Sequence, residues 1–342
     1  MQEEEQKKEE KRQEKVKLAI YWGAACGGCD IAILRIDERL LDLAEIADIV
    51  FWPAALDYKH ADLEKMEDKS IDLAIFNGAI RNSEDEHMAK ILRDKSRLLV
   101  AYGSCACEGC VIGLANLSDR DEIFTRVYVD NSSTFNPEGV TPQPEVKVDG
   151  NELYLPTFAD SVRALHQVVD VDYYVPGCPP EVELTEQLVD IIFNYASTGT
   201  GGLPPKGTVI APNKILCEEC PRKRGEKAIN KLYRFHEIEP DHDLCLLDQG
   251  IICMGPATRA GCKARCVNVN IPCTGCMGAP EGIDQGTAMA NALASVLGVG
   301  AEENEIEEII NQIKDPVGTF YLYSFPISIL NRVKENEKEV QE

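Results

Sequence analysis

Aromatic residues make up only 6% of this 342-residue chain, which has two tryptophans and five histidines. Positive charge is also short. Against 58 Asp and Glu stand 35 Lys and Arg, a net charge of −23. A nucleic-acid surface needs clustered Lys and Arg, so that class of partner is not expected. No segment approaches eighteen consecutive apolar residues, so no membrane span is expected either. The opening MQEEEQKKEEKRQEK has neither the hydrophobic segment of a secretory signal nor a twin-arginine motif, which predicts a soluble, cytoplasmic protein. A P-loop is missing: GTGGLPPKGT has Gly, Lys and Thr in the wrong order. Asn131-Ser132-Ser133 is a glycosylation triplet without meaning in a cytoplasmic chain, and no repeat of fixed period runs through the sequence.

Cysteine, by contrast, is plentiful, with 14 residues. In a reducing compartment such thiols read as metal ligands or redox groups rather than disulfides. Eight fall in one stretch: Cys217, Cys220, Cys245, Cys253, Cys262, Cys266, Cys273 and Cys276. Their short, loop-like spacings supply two four-thiolate sites. Gly255, Pro256, Gly261, Pro272, Gly275 and Gly278 let a backbone wrap a compact object there. Metal–thiolate bonds would then hold much of the local fold, and the segment reads as a cluster-binding module.

Along the chain, residues 1–15 read as a solvated, disordered charged tail. Apolar runs of strand length follow at Val16–Trp22, Ala47–Ala54, Ile71–Asn77 and Arg97–Gly103, with a last one ending at Gly177. Between them, helical spacing is seen over Asp30–Ala47 (Asp30 as N-cap), Ala61–Lys69, Glu84–Asp94, Ala159–Val169 and Glu181–Tyr195. Asp149-Gly150 predicts a tight hairpin. The alternation predicts an α/β fold, a flavodoxin-like doubly wound parallel sheet over residues 16–200. Residues 196–213 read as a linker. Residues 201–342 are expected to form a loop-rich, cysteine-rich domain with C-terminal helices near Asp284–Leu297 and Glu302–Lys314.

The remaining cysteines are Cys26, Cys29, Cys105, Cys107, Cys110 and Cys178. Cys26 and Cys29 follow the first predicted strand, Cys105 the fourth and Cys178 the last. Open parallel sheets bind ligands at the carboxyl ends of their strands, so four thiolates from three such loops can converge on one cluster. Cys107 and Cys110 read as buried structural thiols, although by register either could stand in for Cys105.

The motifs WGAACGGCD, AYGSCACEGC, VPGCPP, LCEECPR and CMGPATRAGC followed by PCTGC together resemble the small (gamma) subunit of cytoplasmic [NiFe]-hydrogenases. The nearest type is the methyl-viologen-reducing, deazaflavin-non-reducing kind that works with heterodisulfide reductase in archaea and some anaerobic bacteria. The resemblance runs from about Val16 to Gly282. It implies three [4Fe-4S] clusters: a proximal one on Cys26, Cys29, Cys105 and Cys178, a distal one on Cys217, Cys220, Cys245 and Cys253, and a medial one on Cys262, Cys266, Cys273 and Cys276. It also implies a nickel–iron site on a large partner subunit, with none on this chain, and a small iron–sulfur or flavin-linked partner at the outer end. The chain departs from the family in one place. Where a Gly-Gly pair usually follows the third proximal cysteine, the second glycine is Cys110.

Rival readings stay open at this point. Two structural zinc ions also favour four thiolates, although the spacings 3, 25, 8 and 4, 7, 3 are irregular for paired knuckles. The quinone-reducing relative of the fold has adjacent cysteines in its first motif and no C-terminal module. Deazaflavin-reducing hydrogenases, sulfhydrogenases and a relay in a complex that does not use dihydrogen are further alternatives. His60, His87, His166 and His236 read as surface residues. His242, in DHDLC, could hydrogen-bond a distal ligand. Lys214, Arg222, Lys223 and Arg224 could steer an acidic electron partner or sit as solvated charge.

Overall fold

The computed structural model describes residues 15–225, 229–297 and 303–331. The charged tail expected over residues 1–15 lies outside these but for Lys15. Six parallel strands form the main sheet: β1 (Val16–Trp22), β2 (Ala47–Phe51), β3 (Ile71–Asn77), β4 (Ser96–Tyr102), β5 (Tyr173–Val175) and β6 (Thr208–Val209). Their order is β2-β1-β3-β4-β5-β6, all parallel. The chain direction across the sheet reverses between β1 and β3, the switch point of a doubly wound fold.

The sequence produces this sheet because its strands are apolar on both faces. Leu18, Ile20, Leu73, Ile75, Leu98, Val100 and Tyr102 face one core. Their neighbours Ala19, Tyr21, Ala74, Phe76, Leu99 and Ala101 face the other. This is the two-residue period of a strand buried on both sides. Helix α1 (Gly28–Leu34), α2 (Arg39–Ile46) and α4 (Val182–Thr198) cover the first face, while α3 (Ser83–Lys95) covers the second. Asn82 caps α3, its side chain accepting from the Glu84 and Asp85 N–H groups.

Five local expectations are corrected. The helix expected over Asp30–Ala47 is two helices, broken near Asp37, which has φ 48°. Asp30 is no N-cap; Gly27 stands there, and Asp30 is buried inside α1. The helix expected at Ala159–Val169 is a strand, Phe158–Arg163, antiparallel to Ile80–Asn82, followed by one turn at Leu165–Gln167. Tertiary pairing overrides propensity there: the Asn116 amide donates to the Val162 carbonyl and accepts from its N–H. The helix expected over Ala61–Lys69 shrinks to His60–Glu64. The stretch 196–213, read as a linker, contributes β6, fixed by Gly207 N–H to Asp172 O and Ile210 N–H to Tyr174 O. The hairpin forms as expected, Glu145–Val148 with Asn151–Tyr154, turning through Asp149 (φ 50°) and Gly150 (φ 83°).

Beyond β6 regular structure is sparse. Single turns connect to α5 (Gln285–Ala294), α6 (Glu303–Ile310) and α7 (Pro316–Phe320). A separate core gathers Leu216, Leu246, Leu247, Met254, Val267, Met289 and Phe325 with Cys253 and Cys273. Met277 packs into the sheet's first core, and the Ser104 hydroxyl donates to the Cys276 carbonyl, so this half sits on the carboxyl ends of the strands. Among the described residues no helix is long and apolar enough to cross a membrane.

Candidate metal centres

The first group of thiols lies at the strand ends. β1 runs out through Gly23 to Cys26, and Cys29 is buried on α1. β4 ends at Gly103, where φ is 85° and a Cβ would lie 2.3 Å from Cys29 Sγ. Only glycine lets the Cys29 thiol rest against the turn that carries Cys105. Cys178 follows β5 and precedes a cis proline. Burial first, then the neighbouring Cys178 and Cys26, push the Cys29 thiol up to about 12. Asp30, beside it, accepts from Trp52 Nε1 at 2.7 Å and Asn77 Nδ2 at 3.1 Å, locking α1 to β2 and β3. Cys110 lies beside both Cys105 and Cys178, its thiol donating to Cys178 Sγ at 3.8 Å.

The second group encloses a cavity. Cys217, Cys220, Cys245 and Cys253 line it together with Leu216, Leu246, Leu247 and Val267. Burial, then Cys253 and Cys245, push the Cys217 thiol up to about 12. Gly255 is needed for closeness, since a Cβ there would stand 3.1 Å from Cys217 Sγ. The backbone N–H groups of Gly255 and Cys273 point at Cys253 Sγ, the latter at 3.3 Å.

Arg222 proves to be part of this wall rather than a steering charge. It is 8% exposed, and it donates to the carbonyls of Asp241, Leu244 and Val267 and to Asn270 Oδ1. One guanidinium thereby ties the segment after Cys220 to those before Cys245 and after Cys266. Its fixed fork of five donors suits the task. His242 is exposed.

The third group is Cys262, Cys266, Cys273 and Cys276. Lys263 (φ 54°) and Ala264 (φ 52°) bend the loop after Cys262 so that the N–H groups of Ala264 and Arg265 reach its sulfur. Cys273 receives the Gly275 N–H, and Cys276 the Cys178 N–H. Burial, then Cys262, pushes the Cys276 thiol up to about 12, with Cys178 and Cys266 adding to it.

The three groups form a row. Cys178 of the first touches Cys276 of the third, and Cys273 of the third touches Cys253 of the second. The group from residues 262–276 is thus in contact with both of the others.

Buried thiols that raise one another's pKa will not ionise together unless a positive group lies among them. N–H groups aimed at sulfur favour the thiolate and are the kind of tuning that iron–sulfur sites use. The donor set and its surroundings thus fit iron–sulfur clusters. Among the described residues no three His, Cys, Asp or Glu side chains close on a point that would hold one metal ion.

Two features escaped the sequence reading. Glu108 is buried at the seam between the strand-end turn and the loop after Cys276. Its carboxylate fills the place of a Cβ at Gly278, and Oε2 meets no hydrogen-bond donor among the described residues. Burial pushes its carboxyl up to about 8, partly offset by Arg259. Only its place within SCACEGC hinted at burial. The other is Cys110, read as a structural thiol. Its Sγ stands 3.8 Å from Cys178 Sγ. Cys107, in contrast, is the structural thiol expected, facing the carbonyls of Ala101 and Val175 from within the second core.

Comparison with known proteins agrees with this fold. The family model for the NADH ubiquinone oxidoreductase 20 Kd subunit matches residues 26–192 and stops short of the eight C-terminal cysteines. The oxidized [NiFeSe] hydrogenase of Desulfovibrio vulgaris Hildenborough shares the fold, with a TM-score of 0.50 at 15% identity over 80% of this chain and 96% of that one. The corresponding subunit of the F420-non-reducing hydrogenase of Methanothermobacter marburgensis is 36% identical over 93% of this chain and 96% of its own length. The iron-sulfur subunit of the F420-non-reducing hydrogenase of Archaeoglobus profundus is 40% identical over 324 residues, 93% of this chain and 98% of that protein. The chain belongs to this family of F420-non-reducing hydrogenase subunits.

Proposed function

We propose that this chain is the electron-relay subunit of a [NiFe]-hydrogenase and holds three [4Fe-4S] clusters. The catalytic site lies on a partner subunit, and a large subunit is the partner that the family implies. In this reading Cys26, Cys29, Cys105 and Cys178 hold the proximal cluster, Cys262, Cys266, Cys273 and Cys276 the medial one, and Cys217, Cys220, Cys245 and Cys253 the distal one. The observation that carries the reading is the row of thiols, joined through Cys178–Cys276 and Cys253–Cys273. Such clusters supply one-electron transfer at potentials set by hydrogen bonds to sulfur and by exposure. The chain's own residues do the rest. Leu216, Leu246, Leu247 and Val267 keep water from the outer group, and backbone N–H groups stabilise the thiolates.

Electrons from dihydrogen oxidation would enter at the strand-end group and leave from the group of Cys217, Cys220, Cys245 and Cys253. The outer acceptor is then a small iron–sulfur or flavin-linked subunit feeding heterodisulfide reductase. The relatives' description as non-reducing toward F420 supports an acceptor other than that coenzyme. Anaerobic metal and acid-labile sulfide analysis of the purified complex tests the count. About twelve iron and twelve sulfide per chain are expected for three four-iron clusters. Zinc without labile sulfide would overturn the relay.

A further inference from the structure

We infer that Cys110 is a reserve ligand of the strand-end cluster, able to take the place of Cys178. The inference rests on the reading of Cys178 as an iron ligand. Cys110 is 2% exposed, and its thiol donates to Cys178 Sγ at 3.8 Å. Two thiolates on one tetrahedral metal, with metal–sulfur bonds of about 2.3 Å, stand about 3.8 Å apart. Cys110 therefore sits at the separation of a second sulfur on the atom that Cys178 would bind.

The backbone holds it there. Cys110 has φ 54°, a left-handed value that disfavours any side chain but is imposed by its neighbours. Its N–H donates to the Tyr323 carbonyl at 3.0 Å. Gly109 and Gly113 press on Pro326, where a Cβ would come within 2.4 and 2.3 Å of its ring. The turn is clamped from behind, with the thiol directed at Cys178. Cys107, three residues earlier, is turned into the opposite core and has no such reach.

In the exchange the bond from Cys178 sulfur to iron breaks and a bond from Cys110 sulfur forms. The Cys110 proton passes along the existing hydrogen bond to the departing Cys178 thiolate. No electron moves, and the charge of the site is unchanged.

The test is iron and labile sulfide content of the purified complex, for Cys178→Ala, Cys110→Ala and the double variant. Cys178→Ala is expected to keep close to the wild-type content, whereas the double variant should lose about a third of it, one cluster in three. Equal loss in Cys178→Ala and the double variant would overturn the proposal, as would full retention in both. If Cys178→Ala fails to fold, Cys110→Gly, which suits the left-handed backbone, answers instead. It should release iron to a chelator several-fold faster than wild type, and an unchanged rate would contradict the inference. A wild-type complex without iron would instead defeat the relay reading beneath it, a distinct outcome.

Discussion

The strands from Val16 to Tyr102 and the loops from Leu216 to Met277 both bury most of their apolar residues, but by different means. In the sheet, Leu18, Leu73, Phe76 and Leu99 are at most 1% exposed, and each is flanked by parallel neighbours in regular register. In the loops, Leu216, Leu246, Leu247 and Val267 are at most 3% exposed, yet they line a cavity together with four thiols and Arg222. Hydrogen bonds there run from one turn to the next, as from Leu216 N–H to Thr258 O and from Met254 N–H to Cys273 O. A sheet core needs nothing beyond its side chains. A cavity core needs an object to close on, and its stability is then tied to that object.

The sharpest way to break this contrast is to remove the metal. Chelation under mild oxidation is expected to open backbone amides across residues 214–280 to hydrogen exchange by orders of magnitude, while β1, β3 and β4 stay protected. Equal protection in both regions would show that the loops have a self-sufficient core. The converse perturbation is Phe76→Ala. A fully buried ring lost from the sheet should cost about 3–5 kcal/mol in chemical unfolding without altering iron per folded chain.

Where the two regions meet, Gly103→Ala should act on both. Its φ of 85° and the 2.3 Å approach to Cys29 Sγ leave no room for a methyl group. About a third of the iron should be lost, read by metal analysis, with a stability cost of about 1–3 kcal/mol from the strained backbone.

The smallest effect is expected at the seam. Glu108 has its carboxyl raised to about 8, first by burial. A raised carboxyl pKa means that the folded state holds the proton more tightly than the unfolded one. Its contribution is complete below the unfolded value and is lost as pH rises through about 8. Glu108→Gln should therefore flatten the fall in thermal midpoint expected of the native chain between about pH 5 and about pH 8. A parallel profile for both proteins would remove Glu108 from the account.

How much of this could be read from the sequence follows the same division. β1 to β4 were legible because both-face burial writes itself as continuous apolar runs. α3 was legible because Glu84–Asp94 carries helical spacing. β6 was not, since two residues carry no period and Thr208–Val209 joins the sheet only because Tyr173 and Tyr174 offer an edge. Phe158–Arg163 read as a helix because its partner, Ile80–Asn82, lies far away in the chain. In the loops, spacing gave the number of thiols but not their neighbours. That Cys276 lies against Cys178, and Cys273 against Cys253, depends on loop paths held by Ser104, Arg222 and Gly255. Arg222 looked like a surface charge for the same reason. Burial of a charged residue is decided by partners that local sequence does not name.

The central claim is that the thiols hold three clusters in a row with the residue 262–276 group in the middle. EPR of the dithionite-reduced complex, compared with Cys276→Ala, tests it most directly. The account predicts broad, mutually split signals in the native complex that resolve into separate, uncoupled signals when the middle group is lost. Outer signals that keep the same splitting without it would contradict the row.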